Sequence, residues 1–237
     1  MTIKNKKIMG FTLAEVLITL GVIGVVAALT IPTLFANYQK TQYVAQLKKA
    51  YAVTSQALQE MALDAGCPSD LVCAGFFNGG TSDSSLFNAF SNKLKVMKDC
   101  GTDEGCFPPN SAVTVYYNGS GSRGTFAGQY APSYKFTLAD GIAVAIHNYA
   151  SGCSYGVDME CGEIIFDVNG THGPNNIGKD IFIYRILHNA TISPNGMNVN
   201  GTCNEANPFG LYCAARIMKD GWQMNYDDAG STHIIGT

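Results

Sequence analysis

Phe11 to Ile31 is a run of twenty-one residues in which Glu15 is the only ionisable side chain. At a rise of 1.5 Å per residue, a helix of that length is about 32 Å long, close to the hydrocarbon thickness of a bilayer. The run therefore predicts a transmembrane helix. From Thr33 the apolar positions thin out: Val44, Leu47, Tyr51, Leu58 and Met61 recur at helical spacing, while Lys40, Lys48, Lys49 and Gln56 fall elsewhere. The helix is expected to continue in amphipathic form to about Leu63 and to stop at Ala65-Gly66-Cys67-Pro68.

Beyond it the periodicity changes. Residues 66–112 are rich in Gly, Ser, Asn and Asp, with Ser84–Lys95 readable as one short helix. Short β-rich runs then recur between turn signals: Ala112–Tyr117, Tyr134–Leu138, Ile142–His147, Glu163–Val168 and Ile181–Leu187. Asp140-Gly141 has the chemistry of a hairpin turn. Leu211–Lys219 predicts a short helix closed by Gly221, and Trp222–Tyr226 a last strand. The pattern predicts an α+β protein, a long N-terminal helix packed on an antiparallel β-sheet head.

Composition sharpens this picture. The chain has 237 residues, 46% of them hydrophobic, enough for one ordinary domain with an elongated attachment. Its net charge of −3 hides an asymmetry, because residues 1–62 hold six of the fifteen basic residues and two of the eighteen acidic ones. The remainder is acidic, which disfavours nucleic acid as a general partner. All eight cysteines fall after residue 66, at Cys67, Cys73, Cys100, Cys106, Cys153, Cys161, Cys203 and Cys213. An even count on one side of the apolar run suggests structural disulfides in an oxidising compartment. Pairing in sequence order is the simplest connectivity, although spacing does not choose among the alternatives. Zinc fits poorly, since C-x-x-C is absent and the four histidines are scattered.

Lys4, Lys6 and Lys7 precede the apolar run and hold the N-terminus in the cytoplasm by the positive-inside tendency. A secretory signal peptide is the alternative, but the apolar core exceeds the usual length of about 7–15 residues and no small-x-small cleavage site closes it. The string Gly10-Phe11-Thr12-Leu13-Ala14-Glu15-Val16-Leu17-Ile18, with Pro32 further on, resembles the N-terminal motif of type IV pilins and type II secretion pseudopilins. The resemblance covers about residues 4–60.

It implies cleavage after Gly10 by a prepilin peptidase, N-methylation of Phe11, and assembly into a pilus or secretion pseudopilus. The implied plan is a leader at 1–10, a helix at 11–63 with its transmembrane segment at 11–31, and a periplasmic or extracellular head at 64–237. The implied location is the inner membrane, single-pass, with other pilin or pseudopilin subunits and a filament assembly platform as partners. Glu15 would face the new terminal amine of a neighbouring subunit. Its alternative reading is an acid in the first turns of a helix, favoured by the dipole. Gly21, Gly24, Ala27 and Ala28 cluster on one side, where small residues let helices approach closely in lipid. Pro32 removes a backbone donor to Ala28 and is expected to loosen the helix.

In the head, FDVNGTHGPNNIGKDIF (Phe166 to Phe182) offers Asp167, Asn169 and Asp180 as hard oxygen ligands, with glycines that let carbonyls turn inward. Calcium is the one cofactor this suggests, and the segment loosely resembles the calcium loop of some pseudopilins. The alternative is a turn-rich loop capped by its own Asp and Asn side chains. Gly119-x-Gly121-x-x-Gly124 matches a dinucleotide fingerprint in letters only, since no helix follows. Asn118, Asn169, Asn189 and Asn200 head sequons that also read as turns, and Tyr116, Tyr117, Tyr130 and Tyr134 read as strand packing before they read as a ligand surface. No arrangement of nucleophile, base or zinc ligands points to an enzyme. A membrane-tethered binding or enzymatic head on a pilin-like anchor is the rival reading.

Overall fold

The computed structural model describes residues 12–109, 113–117, 122–125, 134–149, 152–156, 158–197, 203 and 210–226. The chain divides into two units, Met1–Lys40 and Thr41–Thr237. A single helix, α1 (Leu13–Asp64), contributes residues 13–40 to the first and 41–64 to the second. Its start is closed by a capping box: the Thr12 hydroxyl accepts from the Glu15 N–H (3.2 Å), and the Glu15 carboxylate accepts from the Thr12 N–H (2.9 Å). Helical backbone continues through Pro32, flanked by Thr30 and Thr33, whose hydroxyls donate to Val26 O and Thr30 O.

The two stretches of α1 differ as their patterns require. The early stretch has a mean hydropathy of 2.3 over its most apolar window, and none of that window is buried within the chain. Among the described residues this is the one helix long and apolar enough to cross a membrane, so it can serve as a single anchor. The later stretch buries Tyr43, Val44, Leu47, Ala50, Thr54, Ala57, Leu58, Met61 and Ala62. It ends in a Schellman motif, with Gly66 at φ +72°, Cys67 N–H on Ala62 O and Gly66 N–H on Leu63 O.

The second unit is an antiparallel six-stranded sheet in the order β1-β4-β5-β6-β7-β8. These strands are β1 (Val96–Gly101), β4 (Tyr134–Leu138), β5 (Ala143–Asn148), β6 (Glu160–Asp167), β7 (Ile181–Leu187) and β8 (Thr191–Pro194). A separate hairpin joins β2 (Thr114–Tyr117) to β3 (Ser122–Thr125). Alternation along the strands gives two apolar faces. Ile146, Ile164, Phe166, Phe182, Tyr184 and Ile186 share a core with Leu47 and Leu58 of α1. Ala143, Ala145, Ile165, Ile181 and Ile183 form a smaller core with Phe107 and Ile177. Four disulfides join successive cysteines: Cys67–Cys73, Cys100–Cys106, Cys153–Cys161 and Cys203–Cys213. By loop-closure reasoning each contributes about 2–3 kcal/mol.

The structure corrects several element assignments. The short helix after the cysteine-rich turn is α2 (Asp83–Ser91), started by the Ser82 side chain and ending before Lys95. The last helix is α3 (Cys213–Lys219). Trp222–Tyr226 is not a strand; side chains hold it instead, with Trp222 against Tyr51 (ring centroids 5.6 Å apart) and the Tyr226 hydroxyl donating to Gly178 O (2.9 Å). Strands β1, β3 and β8 lie in stretches to which the pattern assigned no strand. Asp140-Gly141 does form the β4–β5 turn, with Gly141 at φ +88°.

Every residue of β6 is buried, and at Gly162 a Cβ would stand 2.3 Å from the His147 carbonyl oxygen of β5. Backbone cannot yield there without parting two strands. Gly162→Ala is expected to cost about 1–3 kcal/mol, read as a lower thermal midpoint of the oxidised protein.

Candidate functional site

Asp167 ends β6, and Asp180 stands immediately before β7, whose Ile181 pairs with Asp167. The antiparallel register thus brings together two carboxylates thirteen residues apart in sequence. Both are fully buried. Asp180 Oδ1 accepts from Asn176 N–H (2.6 Å), and its Oδ2 accepts from Asn175 N–H (2.9 Å) and the Asn169 side-chain amide (3.3 Å). Asp167 Oδ1 accepts from Asn169 N–H (3.3 Å). Asn169 Nδ2 also reaches Tyr43 Oη on α1 and Gly173 O, both at 3.1 Å.

The turn-capping reading therefore accounts for Asp180 and for one oxygen of Asp167. It leaves three buried side-chain oxygens in the loop without a hydrogen-bond partner: Asp167 Oδ2, Asn169 Oδ1 and Asn175 Oδ1. Burial, and then the charge of Asp180, push the Asp167 carboxyl up to about 9. Burial also raises Asp180, against the backbone amides of Asn176 and Asn175 and the side chain of Asn169, which hold it down. Orphaned acceptors beside two opposed carboxylates match a hard cation's needs, so the residues present fit calcium. No group of three His, Cys, Asp or Glu placed to hold a metal occurs among the described residues. A cleft of about 420 Å³, lined in part by Gln46, Lys98, Asp140, Asn169 and His172, runs beside the loop.

Gly10 and Phe11 lie outside the described residues, as do Asn118, Gly119, Gly121, Tyr130 and Asn200. Glu15 is described, and both donors it receives from Thr12 are neutral, so the cap leaves its charge uncompensated. Tyr134 packs its ring on Phe87 (4.5 Å between centroids) and donates its hydroxyl to Asp99 (3.0 Å), as an ordinary strand tyrosine does.

The sequence reading passed over Tyr43 and Asn175 in this loop, and also a charged row on the sheet. Arg185 pairs with buried Glu160 and stands opposite buried Glu163 in the β6–β7 register. The available signal was a charge inside each apolar strand, GEIIF and IFIYRIL. Burial raises the Glu163 carboxyl, opposed by the Tyr149 hydroxyl and the Arg185 charge. Because the unfolded chain releases this proton near 4.5 and the folded chain holds it longer, Glu163 lowers stability progressively as pH rises above 4.5. The difference in thermal midpoint between Glu163→Gln and the unsubstituted protein is therefore expected to shift in the variant's favour across that rise. A difference that stays flat with pH contradicts this assignment.

The architecture is pilin-like in general form, a long N-terminal helix packed on an antiparallel sheet stapled by four disulfides. Comparisons with protein-family models, with curated proteins and with solved structures found no match.

Proposed function

We propose that the chain is a structural subunit of a type IV pilus-like or type II secretion pseudopilus-like filament. It is made as a precursor, clipped after Gly10 by a prepilin peptidase, methylated on Phe11, and held in the inner membrane through residues 11–31 with its head on the periplasmic side. The observation that carries this reading is α1 itself. Its early stretch leaves large apolar side chains uncovered, Leu17 at 61% and Leu29 at 73%, around the single charge of Glu15, while its later stretch is built into the head. Gly21 and Gly24 add support, since a Cβ at either meets no atom within 4 Å and the chain's own fold does not require their small size. Neighbouring helices in a bundle would. Other pilin or pseudopilin subunits and a filament assembly platform are the partners this function needs. In the same reading the 167–180 loop holds calcium through Asp167, Asn169 and Asp180, which would supply the positive charge that the buried carboxylates lack.

Shearing and sedimentation of filaments from cells expressing the full chain with a peptidase and an assembly platform test this. The chain is expected in the sheared filament fraction. Recovery only in the membrane fraction would favour a tethered head that does not polymerise.

A further inference from the structure

Among the described residues beyond α1, three large apolar side chains remain exposed: Met97, Tyr155 and Met159. They lie at opposite ends of the sheet. Antiparallel pairing puts the β4–β5 turn and the β6–β7 loop at one end, and the β5–β6 connection and the β7–β8 turn at the other. Met97 is at the first end, where it lines the cleft of about 420 Å³ together with Gln46 of α1, Lys98, Asp140 and Val168. Tyr155 and Met159 stand on the β5–β6 connection at the far end, 57% and 51% exposed. Helix α1 runs between the two. Gln46 is near the start of its buried stretch, whereas Leu71, just past its end, donates its N–H to His188 O (3.0 Å), and His188 N–H donates to Met159 O (3.1 Å). From Gln46 to Asp64 the helix rises about 27 Å, so cleft and tip are well separated along it.

The tip is held in shape. The Cys153–Cys161 disulfide closes it, Glu160 N–H donates to Tyr155 O (2.8 Å), and the Tyr155 ring packs on Tyr149 (5.0 Å between centroids). Met159 keeps φ at +53°, a left-handed conformation unfavourable for a methionine, with its side chain turned to solvent. Apolar groups fixed in this way lose little freedom on docking. Charge distinguishes the two ends as well. The tip and the strands beneath it hold Asp158, Glu160 and Glu163 around Arg185, an excess of acid. At the cleft Lys49 neutralises Asp140 (2.8 Å), while Lys98 Nζ donates to the Gly105 carbonyl (3.2 Å), a bond that leaves its charge uncompensated.

We propose that the tip bearing Tyr155 and Met159 on one copy of the chain seats in the cleft lined by Met97 and Lys98 on the next, apolar on apolar and acid on base. Each copy carries one tip and one cleft on different surfaces, so the contact is heterologous, the kind that repeats along a filament. The inference rests on the filament reading and names head surfaces that would meet in it.

Charge exchange tests it in the full chain, expressed with a peptidase and an assembly platform and read as the share of chain in sheared filaments. Asp158→Lys and Lys98→Glu each place like charges across the contact and are expected to lower that share about tenfold or more. The doubly exchanged chain restores the pairing and is expected to return to within about threefold of the unsubstituted chain. If either single exchange assembles normally, or the double exchange forms its four disulfides and still fails to assemble, the contact is overturned and the filament reading stands. Should an exchanged chain fail to form its disulfides, Tyr155→Ala carries the test: a similar loss supports the contact, and normal assembly overturns it. If the unsubstituted chain forms no filaments, both readings fall.

Discussion

Glu15→Gln is expected to abolish filament assembly as thoroughly as Glu15→Val, although it keeps the helix cap. The capping box needs only an acceptor oxygen three residues after Thr12, and glutamine supplies one as well as glutamate does. The filament reading needs the charge, because Glu15 is the sole ionisable group in the apolar run and its local donors, the Thr12 N–H and hydroxyl, are neutral. Within lipid, removing one member of an ion pair strands the other at a cost of about 3–5 kcal/mol, at least a hundredfold in the association of neighbouring helices. Glu15→Val removes cap and charge together and cannot separate them. The measurement is the ratio of chain in sheared filaments to chain in membranes for the three proteins. Normal assembly of Glu15→Gln, with failure of Glu15→Val alone, would reduce Glu15 to a helix cap.

The second large effect is two-sided and belongs to Asp167. In chelator, Asp167→Asn is expected to stabilise the head by about 1–3 kcal/mol, because burial and the neighbouring Asp180 oblige the Asp167 carboxyl to take up a proton on folding, a cost the amide does not bear. With calcium the order changes. Sites of this kind outside the cytoplasm bind with dissociation constants of about 10⁻⁴–10⁻³ M, so about 10 mM calcium should add roughly 1.4–2.7 kcal/mol to the unsubstituted protein and nothing to Asp167→Asn. Thermal unfolding of both proteins, each with chelator and with calcium, reads all four values. A calcium shift that survives Asp167→Asn would place the ion elsewhere, and no shift in the unsubstituted protein would leave the loop a capped turn.

How far the fold was legible depended on whether local pattern or distant contact decided each element. Helix α1 was readable because its early stretch is one long apolar run and its later stretch keeps a helical period, with Val44, Leu47, Leu58 and Met61 buried where that period puts them. β4 and β7 were readable as short apolar runs between turns. β1 was not, because VMKDCG is a polar edge strand with no buried residue, held in the sheet by pairing with β4. Trp222–Tyr226 misled in the opposite way, since its alternation comes from side chains anchored on α1 and on the loop at Gly178.

The site divides along the same line. Asp167, Asn169 and Asp180 stood out as oxygen ligands among glycines, and the β6–β7 register supplies the reason they meet. Tyr43 lies 126 residues from the asparagine it bonds, and nothing in a local window could have joined them. Asn175 looked like any loop asparagine until its partnerless oxygen was seen.

The most direct test of the central claim, that this is a processed filament subunit, is the intact, unreduced mass of the protein purified from cells that express it with a prepilin peptidase. The account predicts a chain beginning at N-methylated Phe11 and lighter by eight hydrogens, the mark of four disulfides. A chain that retains residues 1–10 would contradict it.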